Sequence, residues 1–149
     1  MSIEEQNVAV LRAVMQSWND GTIATEGARF TAPGFVRHDL NGAGLNAADV
    51  HHMPGADYHR MLSIALAEMH LEIVDIFAVG DRVCMRFVGS GIHRGEFLGV
   101  PPTGKRVEWN GINTFRLVDG KIVETWQLAD HLGILRQMGT VSVAPTAHP

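Results

Sequence analysis

The chain has 149 residues, 46% hydrophobic and 19% charged, which is enough for one core and too short to suggest a second domain. Twelve Lys and Arg against sixteen Asp and Glu give a formal net charge of −4 with the basic residues scattered, an argument against nucleic acid as a partner. The single cysteine, Cys84, excludes an internal disulfide, a Cys-based zinc site and a Cys-x-x-Cys pair. The acidic start lacks an apolar leader, and no apolar run nears the ~18 residues of a membrane span, so the expectation is a soluble, cytoplasmic protein away from membranes.

Ser2 followed by Glu5 is a capping-box pattern, and Val8, Leu11, Val14, Met15 and Trp18 recur at helical spacing up to Gly21. A short helix over Ile23 to Phe30 is expected to stop at Pro33-Gly34, with Phe35-Val36-Arg37-His38 extended after it. Asp39 to Gly55 reads as irregular. Asp57 is expected to cap a third helix whose apolar stripe runs from Tyr58 to Met69. From His70 the period falls to two, predicting strands through Phe87. Arg106 to Val118 and Lys121 to Asp130 form a hairpin about Asp119-Gly120. Helices first and strands after them imply one α+β domain over 1–149, with helices covering one face of a curved antiparallel sheet and residues 140–149 as a flexible tail.

Several chemistries lack support. Gly99-x4-Gly104-Lys105 begins like a phosphate loop, but Arg106 replaces the magnesium-binding hydroxyl residue and Pro101-Pro102 remove backbone donors. Eight histidines carry no His-x-His or His-Glu-x-x-His spacing, so no metal is expected. There is no dinucleotide fingerprint or Gly-x-Ser-x-Gly elbow, which points to a cofactor-free domain.

Strand alternation places Ile122, Glu124, Trp126, Leu128 and Asp130 on one mostly apolar face. A carboxylate desolvated there would have a raised pKa and could act as general base and then general acid. An Asp capping the short helix His131 to Gly139 would read the same way. A two-residue turn at Asp119-Gly120 sets Trp109 opposite Asp130, with Asn113 and Phe115 on its face. A bulge slips the strand by one and puts Asn110, Ile112, Thr114 and Arg116 there instead. In that second register Arg116 could hold an anionic ligand oxygen or be an exposed strand residue.

Read together, His93-x-Gly95-x-Phe97-x-Gly99-x-Pro101-Pro102-Thr103-Gly104-Lys105, Asp119-Gly120-Lys121-Ile122-x-Glu124-x-Trp126-x3-Asp130 and Gln137-x-Gly139 resemble the SnoaL-like polyketide cyclase (ester cyclase) family. The resemblance implies the cone-shaped α+β barrel of the nuclear-transport-factor-two-like superfamily, as a homodimer or homotetramer. It also implies cofactor-free aldol closure of an aromatic polyketide ester or similar carbon acid, with Asp130 as general acid/base. His38, Phe97, Trp109, Arg116 and Trp126 are the substrate-binding candidates, and the ligand is an apolar or aromatic small molecule. Where the founding cyclases place a His on the preceding strand, this chain has Arg116. The alternatives are an isomerase of the ketosteroid type, an epoxide-hydrolase-like enzyme, or a non-catalytic small-molecule binding protein.

Overall fold

The computed structural model describes residues 1–41, 50–142 and 144. The expected tail falls largely outside these residues, as does the middle of the stretch read as irregular. Chain order is α1 (Ile3–Asp20), α2 (Ile23–Glu26) and a 3-10 turn (Gly27–Arg29), then β1 (Thr31–Asp39), α3 (Gly55–Ala65), β2 (Leu66–Val79) and β3 (Arg82–His93). β4 (Arg106–Val118), β5 (Lys121–Ala129) and α4 (His131–Gln137) complete it. Among the described residues the strands make one curved sheet in the order β1-β5-β4-β3-β2, open between its two edges. The expected antiparallel sheet has one exception. β1 pairs parallel with β5, because the chain crosses the whole sheet between β1 and β2 and leaves β1 beside the last strand. No helix among the described residues is long and apolar enough to cross a membrane.

The N-terminal signals act as read. The Ser2 hydroxyl accepts from Glu5 N, the Glu5 carboxylate accepts from Ser2 N, and Gly21 ends α1 at φ 82°. Leu11, Met15 and Trp18 face the sheet, and the Asn19 amide exchanges two 2.8 Å hydrogen bonds with the Leu71 backbone, tying the end of α1 to β2.

Three boundaries differ from expectation. Pro33-Gly34 lies inside β1 as an irregularity with Gly34 at φ 78°, since the helical segment already ends at Phe30. Asp57 does not cap α3. Pro54 occupies the N-cap position, and Asp57 sits in the first turn paired with Arg60 at 2.6 Å. α3 stops at Ala65, short of Met69, because Leu66 and Ala67 are taken into the ladder opposite His93 and Ile92. Tertiary pairing overrides helical periodicity there. The segment that resembled a phosphate loop starts in a tight turn, where Leu98 and Gly99 hold positive φ between Phe97 and Val100, and runs on without helix to β4.

Two cross-strand pairs floor the concave side. Phe87 lies over Gly111, and Trp109 lies over Gly89. A Cβ on either glycine would collide with the ring seated on it, so the aromatic rings lie flat on bare backbone. Gly111→Ala is expected to destabilise the fold by about 1–3 kcal/mol through overpacking, read as a lowered urea midpoint. An unchanged midpoint would show that Phe87 has room to move.

Candidate active site

The concave face, α1, α3 and α4 surround a cavity of about 140 Å³ that opens to solvent. Its walls are mostly apolar: Met15 and Trp18 from α1, Phe87, Trp109 and Phe115 from the sheet, and Phe97 from the turn after β3. Phe97 and Trp109, both expected to meet a ligand, therefore line it and are buried.

The remaining expected site residues lie elsewhere, for one geometric reason. Leu117 pairs with Ile122, but Arg116 pairs with Glu124, so Val123 has no partner on β4. The extra residue exchanges the faces of β5 beyond it. Thr125, Gln127 and Ala129 point into the cavity, while Glu124, Trp126 and Leu128 pair with Arg116, Thr114 and Ile112 on the opposite face. The slipped register is the one observed. Its cause is a bulge at Val123 rather than at Gly120.

The expectation of a desolvated Asp130 beside Trp126 and Leu128 is corrected accordingly. Asp130 is exposed and caps α4, its Oδ1 accepting from Gly133 N at 2.8 Å. A Cβ at Gly133 would run into the carboxylate, so glycine there leaves room for it. The flanking residues Ala129 and His131 both line the cavity, which sets Asp130 at its rim.

Arg116, His38 and Trp126 gather on the outer face around Glu124, away from the cavity lining. Glu124 accepts from His38 Nε2 at 2.6 Å and from Arg116 Nε at 3.2 Å. The His38 ring stacks on Trp126 with centroids 5.1 Å apart, and the Arg82 guanidinium lies 4.9 Å from the Trp126 ring centre. The His38 hydrogen bond foremost, then Arg116, holds the Glu124 carboxyl below the usual glutamate range. His51 adjoins His38 in space and His52 adjoins His51, the two donating from Nδ1 to the Arg37 and Phe35 carbonyls, whereas His59 lies apart with its ring edge-on to Trp18. Among the described residues no three His, Cys, Asp or Glu side chains assemble as a metal site.

Sequence reasoning missed the polar groups inside the cavity. Arg37 Nη1 donates to Gln127 Oε1 at 2.9 Å, which turns the Gln127 amide so that Nε2 donates to the Tyr58 hydroxyl at 2.7 Å. The Arg37 guanidinium also lies 4.2 Å from the Tyr58 ring centre. Burial lowers the guanidinium pKa, opposed by Tyr58 and Asp39, and burial raises the Tyr58 phenol, which stays neutral. His131 faces Phe97 edge-on at 5.7 Å, and its Nδ1 is buried without a partner. Burial lowers its pKa despite the opposing fields of Asp39 and Asp130. Alternation of Phe35 with Arg37 and of Thr125 with Gln127 was the available signal. It becomes informative only once the bulge is known.

Gln127→Leu leaves Arg37 and Tyr58 each short of a partner and is expected to destabilise the fold by about 1–3 kcal/mol in urea titration. No change would show that water replaces the amide. For Glu124, a depressed folded pKa means stability present above the unfolded value and lost as pH falls through the folded one. The gap in Tm between wild type and Glu124→Gln should therefore narrow from about pH 5 to about pH 3. A gap of constant size over that range would rule the coupling out.

A sequence profile of the SnoaL-like polyketide cyclase family matches residues 8–138. The aklanonic acid methyl ester cyclase DnrD of Streptomyces peucetius is 38% identical over 72 residues, 48% of this chain and 50% of DnrD. The chain thus spans about half the length of the curated relatives it matches. Among solved structures, the hydroxylase candidate AclR of Streptomyces galilaeus superposes with TM-score 0.79 at 27% identity, covering 93% of this chain and 99% of AclR. The polyketide cyclase candidate IdmH of Streptomyces antibioticus superposes with TM-score 0.73 at 30% identity, covering 90% of this chain and 99% of IdmH. The motifs, the curved sheet under its helices and a profile match across nearly the whole chain agree: this chain belongs to the SnoaL-like polyketide cyclase family.

Proposed function

We propose that the protein closes a ring in a polyketide ester by intramolecular aldol addition, with Asp130 as the general acid/base. The observation that carries this reading is a largely apolar, aromatic cavity with a carboxylate fixed at its rim, between two residues that line it. A methyl ester of a polyketide is what DnrD is named for, and such an ester carries an acidic C–H between two carbonyls. Asp130 takes that proton, and the carbanion is delocalised over the substrate's own carbonyls. The carbon then bonds to a ketone carbon of the same molecule, and the ketone oxygen receives the proton back from Asp130. Atoms are conserved and the product is an isomer of the substrate. The aromatic walls hold the two reacting ends together and exclude water.

His131 supports a second reading. It is cavity-facing, held neutral by burial and carries an unpartnered ring nitrogen, so it is a proton acceptor in its own right.

Hydrogen–deuterium exchange at the carbon between the two carbonyls of methyl benzoylacetate, followed by mass spectrometry in heavy water, separates these readings. Asn caps a helix about as well as Asp, so Asp130→Asn tests the proton transfer without removing the cap. The expected result is exchange by the wild type and a loss of about a hundredfold or more in Asp130→Asn with Tm unchanged. Exchange retained in Asp130→Asn and lost in His131→Asn assigns the base to His131. With a polyketide ester as substrate, a product one oxygen heavier would replace ring closure by hydroxylation, the activity AclR is named for.

A further inference from the structure

We propose that Arg37 and Tyr58 form an oxyanion site within the cavity, which takes the ionised oxygen of an otherwise apolar, conjugated ring compound: a carboxylate, or the enolate of a 1,3-dicarbonyl. Arg37 is only 9% exposed, and a cation removed from water needs compensation. It has little. Its acceptors are Gln127 Oε1 at 2.9 Å and the Met53 carbonyl at 3.4 Å, with the faces of Tyr58 and Phe35 at 4.2 Å and 5.2 Å. Its Nε is buried without a partner. The acceptors that hydrogen-bond the guanidinium are both neutral, an amide oxygen and a backbone carbonyl.

The neighbouring polar groups extend the imbalance. Because the Tyr58 oxygen accepts from Gln127, its own proton is available for a further acceptor. Trp18 Nε1, also lining the cavity, is a buried donor without a partner. Arg37 and Trp18 can only donate. Arg37, Tyr58 and Trp18 thus bring unused donors and a cationic group to the cavity, and a ligand that completes them brings acceptor oxygens and a negative charge. The surrounding aromatic walls fit the ligand's ring system. The enolate arm deepens the ring-closure reading and rests on it, since an enolate is what removal of the proton creates. The carboxylate arm is independent of any reaction.

Binding to the intact chain tests the site with two matched pairs of probes, followed by calorimetry at neutral pH. Anthraquinone-2-carboxylate is compared with its methyl ester, and the anion of 2-acetyl-1,3-indandione with 2,2-dimethyl-1,3-indandione, which cannot ionise. The wild type is expected to bind each anion about tenfold or more tighter than its neutral partner. Arg37→Met should erase that preference while neutral affinity changes little, and Arg37→Lys should keep part of it. Tyr58→Phe, which preserves the ring, should weaken the anions severalfold and serves if Arg37→Met does not fold. Equal affinity for anion and neutral partner in the wild type, no saturable binding of either, a preference that survives in Arg37→Met, or one undiminished in Tyr58→Phe overturns the proposal. Preference for the carboxylate alone confines the site to carboxylates. An anion preference without proton exchange on methyl benzoylacetate removes the ring-closure reading and leaves the site, and exchange without preference does the reverse.

Discussion

Side chains on a strand alternate faces with a period of two, so one unpaired residue reverses everything beyond it. Val123 is that residue in β5. Past it, Thr125 and Gln127 turn inward and Glu124, Trp126 and Leu128 turn outward, and the ladder runs on to Asp130 N bonded to the Asn110 carbonyl. The polar groups that β5 gathers on its two faces follow from this step. Gln127 reaches Arg37 and Tyr58 inside the cavity, and Glu124 reaches His38 and Arg116 outside it. Parallel pairing with β1 carries the same division across, because His38 stands opposite Trp126 and Arg37 opposite Thr125.

The sheet that bears these side chains is shaped by small residues beneath large ones. Trp109 on Gly89 and Phe87 on Gly111 let wide rings lie against the concave floor, leaving space below α1 and α3 that a Cβ at either glycine would remove. Where β5 ends at Ala129, the start of β4 would be a bare edge. α4 covers it, with the Gln137 amide accepting from Glu108 N and donating to the Glu108 carbonyl. Asp130 caps the helix that closes this edge, and its neighbours Ala129 and His131 line the cavity.

Two demands meet at Asp130. As a cap, its carboxylate is oriented toward Gly133 N, and at the end of β5 it stays open to water. His131, one residue further on, has the complementary environment of a neutral, buried imidazole. The two side chains differ in setting although they adjoin in sequence: His131 lines the cavity, and Asp130 faces water.

Much of this was legible in the chain. The capping box of α1, the Asp119-Gly120 hairpin, the change of period from helices to strands and the cap preceding α4 are local signals that act within a few residues, and the family motifs are continuous stretches. What failed was parity and termination. The bulge at Val123 leaves no distinctive residue behind it, and the end of α3 at Ala65 depends on a strand partner almost thirty residues away. The sequence by itself determined the element order, the α+β class, the family and the aromatic residues Phe97 and Trp109 of the wall, because propensity, capping and motif spacing are properties of neighbours along the chain. Only the tertiary structure decided that Arg37, Tyr58, Gln127 and His131 share one cavity while His38, Arg116 and Trp126 share the other face. Those groupings are set by cross-strand register, and register is a relation between distant segments that no single segment encodes.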